Sequence, residues 1–194
     1  MMKLQRPAPP DKLRQNWEAW GIEYEQKKSD NPKHDFQWRK PMYSHLIDLL
    51  LEMTRKHCSF CDSSPMRSQI RETIEHFRPK ESYPRLVYQW ENLFACCDKC
   101  QNAKGKLFDE ALLKPDELEY EFKRYFFFDE ATGKLLPNPG ASAEEQNRAA
   151  VTIQLYKLNE FGRPDARLTV LEMSAALQSS KLTIDDFSYR YMFL

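Results

Sequence analysis

Two periods of hydrophobic residues run along this chain. Tyr43, Leu46, Ile47, Leu50 and Met53 recur at steps of three and four, which keeps apolar side chains on one helical face. Trp17, Trp20 and Tyr24 repeat that spacing earlier, and Asp11 stands where an N-cap would open their helix. Residues 29–41 between them are polar and bounded by proline, which predicts a loop. Over 73–77 the period shortens to two, as in a short strand. Residues 90–108 read as a second short element followed by a helix near 102–108. Tyr125 to Phe128, a turn at Ala131, Thr132 and Gly133, then Lys134, Leu135 and Leu136 predict a hairpin. After a break at 137–140, Ala149, Ala150, Ile153, Tyr156 and Leu158 suit one helix. Pro164 opens another through Leu168, Leu171, Ala175 and Leu177, since proline is tolerated in a first turn. Pro7, Pro9 and Pro10 make residues 1–12 an extended arm, and the aromatic tail 187–194 either packs back or docks on a partner.

These elements describe one small α+β protein. Residues 1–56 form an arm and helices for packing or partner docking. Residues 57–108 form the core that carries the chemistry. Residues 109–194 add a hairpin and a helical region to the same compact unit. Hydrophobic residues at 41% and charged residues at 30% suit a soluble globular chain. No apolar run approaches the roughly 18 residues of a membrane span, and the prolines near Met1 replace the apolar core of a signal peptide. A cytoplasmic protein is expected. Lys+Arg and Asp+Glu balance at 29 each, so no global field attracts nucleic acid. Residues 55–106 nevertheless hold ten basic and six acidic residues, against three and eight over 109–130, so any affinity for phosphate is local to the first stretch.

The five cysteines sharpen this picture. Cys58-x-x-Cys61 and Cys97-x-x-Cys100 supply four thiolates, enough to close a tetrahedral zinc shell with no open position, hence a structural site. The 35 residues between the pairs are too many for a simple knuckle and must hold a substructure that the metal pins at both ends. Cys96 is left over and is expected to be a buried thiol. A redox pair is the competing reading, but it needs no second C-x-x-C. Within the clamped segment lies the Glu75-His76 pair. Histidine can take a proton from water near neutral pH, and glutamate is a hard oxygen ligand for magnesium or manganese.

Taken together, Cys58-x-x-Cys61, Glu75-His76, Trp90-Glu91-Asn92-Leu93, and the run from Cys97-x-x-Cys100 through Gln101, Asn102, Lys104 and Gly105 resemble the HNH endonucleases. More narrowly, they look like the HNH effectors of retrons and of Septu-type anti-phage systems, in which an ATPase partner accompanies the nuclease. The resemblance covers most of the chain from residue 41 onward. It implies a ββα-metal core stapled by a four-cysteine zinc and flanked by helices at both ends. It implies His76 as general base, Glu75 as ligand to a catalytic Mg2+ or Mn2+, and Asn92 as the residue that holds the loop aiming the histidine. The position after the last cysteine, usually an asparagine or histidine ligand, is Gln101 here, with Asn102 as the alternate ligand. Lys104, Lys106, Arg78 and Lys80 are candidate contacts to flanking phosphates, which position substrate without reading sequence. The expected activity is metal-dependent hydrolysis of nucleic acid, DNA ahead of RNA, within a defence complex. The alternative is a zinc-stabilised adaptor that binds nucleic acid or protein without cutting.

Overall fold

Two helices open the chain in the computed structural model, which describes residues 1–40, 42–174 and 182–194. In α1 (Asp11–Asp30), Asp11 is the first helical residue, and Pro10 takes the cap position without a side-chain bond. An acid there still suits the positive end of the helix dipole. In α2 (Met42–Thr54) the stripe Leu46, Ile47 and Leu50 is buried, with Tyr43 and Met53 at its margins. The loop between them turns aromatic side chains inward: Phe36 and Trp38 pack against the core.

Strand β1 (Glu72–His76) pairs antiparallel with β2 (Leu93–Cys97), with Glu72 opposite Cys97 and His76 opposite Leu93. Every residue of β2 is buried, because α2 packs against it from one side and helix α3 (Asp98–Lys104) from the other end of the unit. The helix expected near 102–108 therefore starts earlier and stops at Lys104. The Cys97 sulfur accepts from the Cys100 N–H at its start, and Gly105, with φ of +52°, turns the chain away at its end.

A second pair of strands, β3 (Phe126–Asp129) and β4 (Lys134–Pro137), follows the short helix α4 (Phe122–Tyr125) and forms the expected hairpin. Helix α5 (Ala143–Leu155) lies over β4. It begins ahead of the apolar stripe because Ser142 and Glu145 form a capping box, and Leu158 falls beyond its end. Helix α6 (Arg163–Ser174) carries Leu168 and Leu171, while Ala175 and Leu177 lie outside the described residues.

Both chain ends close on this frame. The arm is extended and anchored at two buried residues, Met1 and Leu4: the Leu4 N–H donates to the Pro115 carbonyl (2.8 Å), and the Tyr120 hydroxyl donates to that of Met1 (2.8 Å). The tail packs back rather than projecting, with Arg190 paired to the buried Asp62 at 2.7 Å and Tyr191 inside the core. Among the described residues, no helix is long and apolar enough to cross a membrane.

Candidate metal centre and histidine cleft

The sulfurs of Cys58, Cys61, Cys97 and Cys100 all lie within 4.8 Å of one another and are buried. A tetrahedral zinc–thiolate shell with bonds of about 2.3 Å puts its sulfurs about 3.8 Å apart. The Cys61–Cys97 separation of 3.7 Å matches this closely. The four cysteines are thus positioned to hold a metal ion, and their donor set is one that zinc takes. The surroundings suit thiolates: the Cys97 N–H points at the Cys58 sulfur (3.4 Å) and the Cys100 N–H at that of Cys97 (3.4 Å). Arg163, at the start of α6, brings Nη2 within 3.1 Å of the Cys100 sulfur while Nη1 donates to the carbonyls of Tyr156 and Lys157. Four thiolates around one dication leave a net negative charge, and this buried guanidinium offsets part of it. Nothing in the cysteine spacing pointed to Arg163, which lies 63 residues from Cys100 in sequence. Cys96 is fully buried beside the cluster, where its thiol donates to the Cys97 carbonyl (3.3 Å) and burial holds it protonated.

At the far end of β1, His76 is 8% exposed. Its ring stacks on Trp38 (5.6 Å between centroids, 12° between planes) and meets the edge of Phe36. Nε2 lies 3.1 Å from the Val87 carbonyl. A carbonyl only accepts, so Nε2 carries the proton and Nδ1 keeps its lone pair in the neutral ring. Burial, and secondarily Lys80, pushes the imidazole down to about 3, so it stays neutral through the physiological range.

Asn92 makes three bonds that frame this histidine. Its Oδ1 accepts from the Arg78 N–H (2.7 Å), and its Nδ2 donates to the Arg78 and Leu86 carbonyls (both 3.1 Å). Arg78 lies two residues past His76, and Leu86 directly precedes the Val87 carbonyl that holds its ring. The amide therefore ties both flanks of the histidine together across the loop joining the two strands.

Glu75, Lys80, Gln101, Asn102 and Lys106 join His76 around a cleft of about 340 Å³. Two of the candidate phosphate contacts sit differently from expectation. Lys104 is buried, donating to Glu75 Oε1 (2.7 Å) and to the His76 carbonyl (3.0 Å). Arg78 forms a two-pronged pair with Glu110 (2.7 and 3.0 Å) and covers the Phe108 ring. Lys104 follows Cys100 by one helical turn, so both face the strands, and that i, i+4 relation was the available signal of its burial. Burial raises the Glu75 carboxyl above its ordinary range, with Lys104 the chief group pulling it back.

The expected divalent ion does not fit this arrangement. The Glu75 carboxylate already has its cation in Lys104, and Gln101, whose nitrogen donates to the Ile74 carbonyl (3.0 Å), leaves only one neutral oxygen to add to it. Lys80 and Lys106 add two further positive charges around the same space.

No protein-family model matches the chain. The chain is similar to the Septu protein PtuB of Bacillus thuringiensis, with 34% identity over 105 residues, which cover 54% of this chain and 37% of that relative. It thus spans about 37% of the length of the relative it matches. The match supports a relationship to Septu-type proteins.

Proposed function

We propose that this chain is an HNH-type nuclease that hydrolyses phosphodiester bonds in nucleic acid, DNA ahead of RNA, as the effector of an anti-phage defence complex held in check by an ATPase partner. The observation that carries the reading is the contact of His76 Nε2 with the Val87 carbonyl (3.1 Å), which assigns the proton to Nε2. A buried imidazole with Nε2 on a carbonyl and Nδ1 unprotonated, at the wall of a lysine-flanked cleft, has a lone pair to offer. A bound phosphate anion beside Lys80 would raise it from its low free-state value toward the range a general base needs. The relation to Septu protein PtuB supports the defence setting and a partner within a complex. A strand pair followed by a helix, with the histidine ending the first strand and Asn92 preceding the second, supports the HNH assignment.

In this mechanism Lys80 and Lys106 draw the scissile phosphate into the cleft and offset charge on its non-bridging oxygens. His76 Nδ1 takes a proton from the attacking water as its oxygen bonds to phosphorus. The bond to the leaving oxygen breaks, and that oxygen takes a proton from solvent. Asn92 keeps the ring aimed by holding the loop at Arg78 and Leu86. No step runs through a divalent ion, because the groups at Glu75 do not fit one.

A second reading, a zinc-stabilised adaptor that binds without cutting, draws on the same pair: Glu75 is engaged by Lys104 rather than free. Cleavage of plasmid DNA and of total RNA by wild type and His76→Ala, with and without the co-purified partner, separates the two. The nuclease reading expects a loss of roughly 100- to 10,000-fold on removing the base. Zinc content should be unchanged in that variant. Cutting by His76→Ala at the wild-type rate removes the histidine from the chemistry, and no cutting by wild type under any condition favours the adaptor.

A further inference from the structure

We infer that Lys104 is the resident cation of the histidine cleft: its ammonium holds the place at Glu75 that a divalent ion would take, so the free protein binds no stoichiometric Mg2+ or Mn2+ there. The inference rests on reading this cleft as the nuclease site, but its test needs no cleavage.

Lysine is almost never fully buried without a partner. Here the side chain is 0% exposed and its ammonium is bonded to Glu75 Oε1 and to the His76 carbonyl. Those two acceptors belong to adjacent residues at the end of β1, so one ammonium fixes both the carboxylate and the backbone that carries the imidazole. The lysine cannot easily swing away. Cys100 lies one turn earlier on the same face of α3, and its place in the buried four-cysteine cluster fixes that turn in register against β1 and β2. Gly105 ends the helix directly after Lys104, so no further turn competes for the space.

The remaining donors do not build a cation site around this pair. Magnesium and manganese need several oxygen ligands, usually including one or two carboxylates. Gln101, its nitrogen held by the strand, can offer only one neutral amide oxygen, and the second carboxylate of the cleft, Glu81, is exposed. Lys80, Lys104 and Lys106 together outnumber Glu75 and Glu81. The excess charge is positive, which draws in phosphate and repels a free dication. Lys104 is therefore a positioning residue: it touches neither water nor phosphate and acts through Glu75 and the His76 backbone.

The experiment is a Mn2+ titration of the zinc-loaded chain, followed by the loss of the electron-spin-resonance signal of free Mn2+. The proteins are wild type, Lys104→Met, Glu75→Gln, and the double variant. Wild type is expected to show no saturable uptake. Lys104→Met leaves a buried carboxyl without its cation, so Mn2+ uptake then releases the Glu75 proton; one saturable site that tightens as pH rises should appear, which the double variant loses. A merely structural lysine would change melting temperature without creating that site. Saturable uptake by wild type that Glu75→Gln abolishes overturns the inference, as does a folded, zinc-replete Lys104→Met that gains nothing. Should Lys104→Met fail to fold, wild type against Glu75→Gln decides: absent uptake in both supports Lys104 as the cation, and Glu75-dependent uptake refutes it. Failure of the nuclease reading would appear in the cleavage assay and leaves these readouts unaffected.

Discussion

The unit β1–β2–α3 has two ends that solve one electrostatic problem differently. At one end, four thiolates converge and a guanidinium from outside the unit, Arg163, leans on them. At the other, a single carboxylate is neutralised by Lys104 from within the unit. The four steps of β1 separate the ends by roughly 13 Å, at about 3.3 Å per residue. The cysteine end gathers negative charge and so calls for a metal cation. At the histidine end the buried carboxylate is already paired, and the surface lysines leave a positive excess for something anionic. A buried charge must be paired wherever it sits. What differs is whether the chain supplies the partner or leaves it to an ion.

The largest effect should come from breaking the cysteine end. Cys58→Ser removes one of four donors, and structural zinc is worth about 10–16 kcal/mol in small zinc modules, as much as the whole stability of an ordinary domain. Cys58→Ser, or wild type treated with a strong chelator, should lose the cooperative melting of the region from residue 57 to 108. The arm, α2 and the tail should loosen with it, because Arg6 and Arg190 anchor on that region. Zinc content by mass spectrometry and melting followed by near-ultraviolet circular dichroism test this. A chelated protein that melts as the untreated one does would show that packing alone holds the cysteines together.

At the histidine end the comparison sharpens on Asn92. Asn92→Ala deletes three hydrogen bonds and strands the Arg78 N–H and two carbonyls in partly buried positions. Unmet groups of this kind cost about 1–3 kcal/mol in total when water reaches some of them. The larger consequence is loss of aim. With Leu86 released, the neighbouring Val87 carbonyl no longer fixes Nε2–H, and the ring should sample both tautomers. Nitrogen chemical shifts of the His76 imidazole report this directly. If they are unchanged in Asn92→Ala, the stack on Trp38, rather than the amide, sets the ring.

The two ends also differ in how far the residues alone revealed them. Cysteine spacing is local and its chemistry is tetrahedral, so Cys58, Cys61, Cys97 and Cys100 could be grouped before any fold was known. The β1 period and the hairpin turn were equally legible, because strand alternation and Gly133 act within a few residues. Arg163 and Trp38 were not, since each reaches its target across 63 and 38 residues respectively and no period links them. Lys104 was misjudged for a subtler reason. Beside Lys106 and Gly105 it looks like a solvated phosphate contact, and only the placement of Cys100 turns its face inward. Phasing the helix from the cysteine would have exposed this.

The smallest and most specific effect concerns pH. The folded protein holds His76 near 3, whereas the unfolded chain titrates it near 6.5. Between those values the unfolded state binds a proton that the folded state does not, so stability rises with pH across the window and falls on acidification. The contribution is fully present above about pH 6.5 and is lost progressively below it. From pH 7.5 to 5 this amounts to about 2 kcal/mol, and the figure depends only on the folded value lying well under 5. His76→Asn does not titrate, so urea melts of wild type and variant should diverge by that amount over the interval. The zinc thiolates respond to acid equally in both proteins and cancel in the difference. Parallel losses would mean that water reaches the imidazole and holds it near its ordinary value. The imidazole would then be solvated in the free protein rather than shielded by its contacts with Trp38 and Phe36.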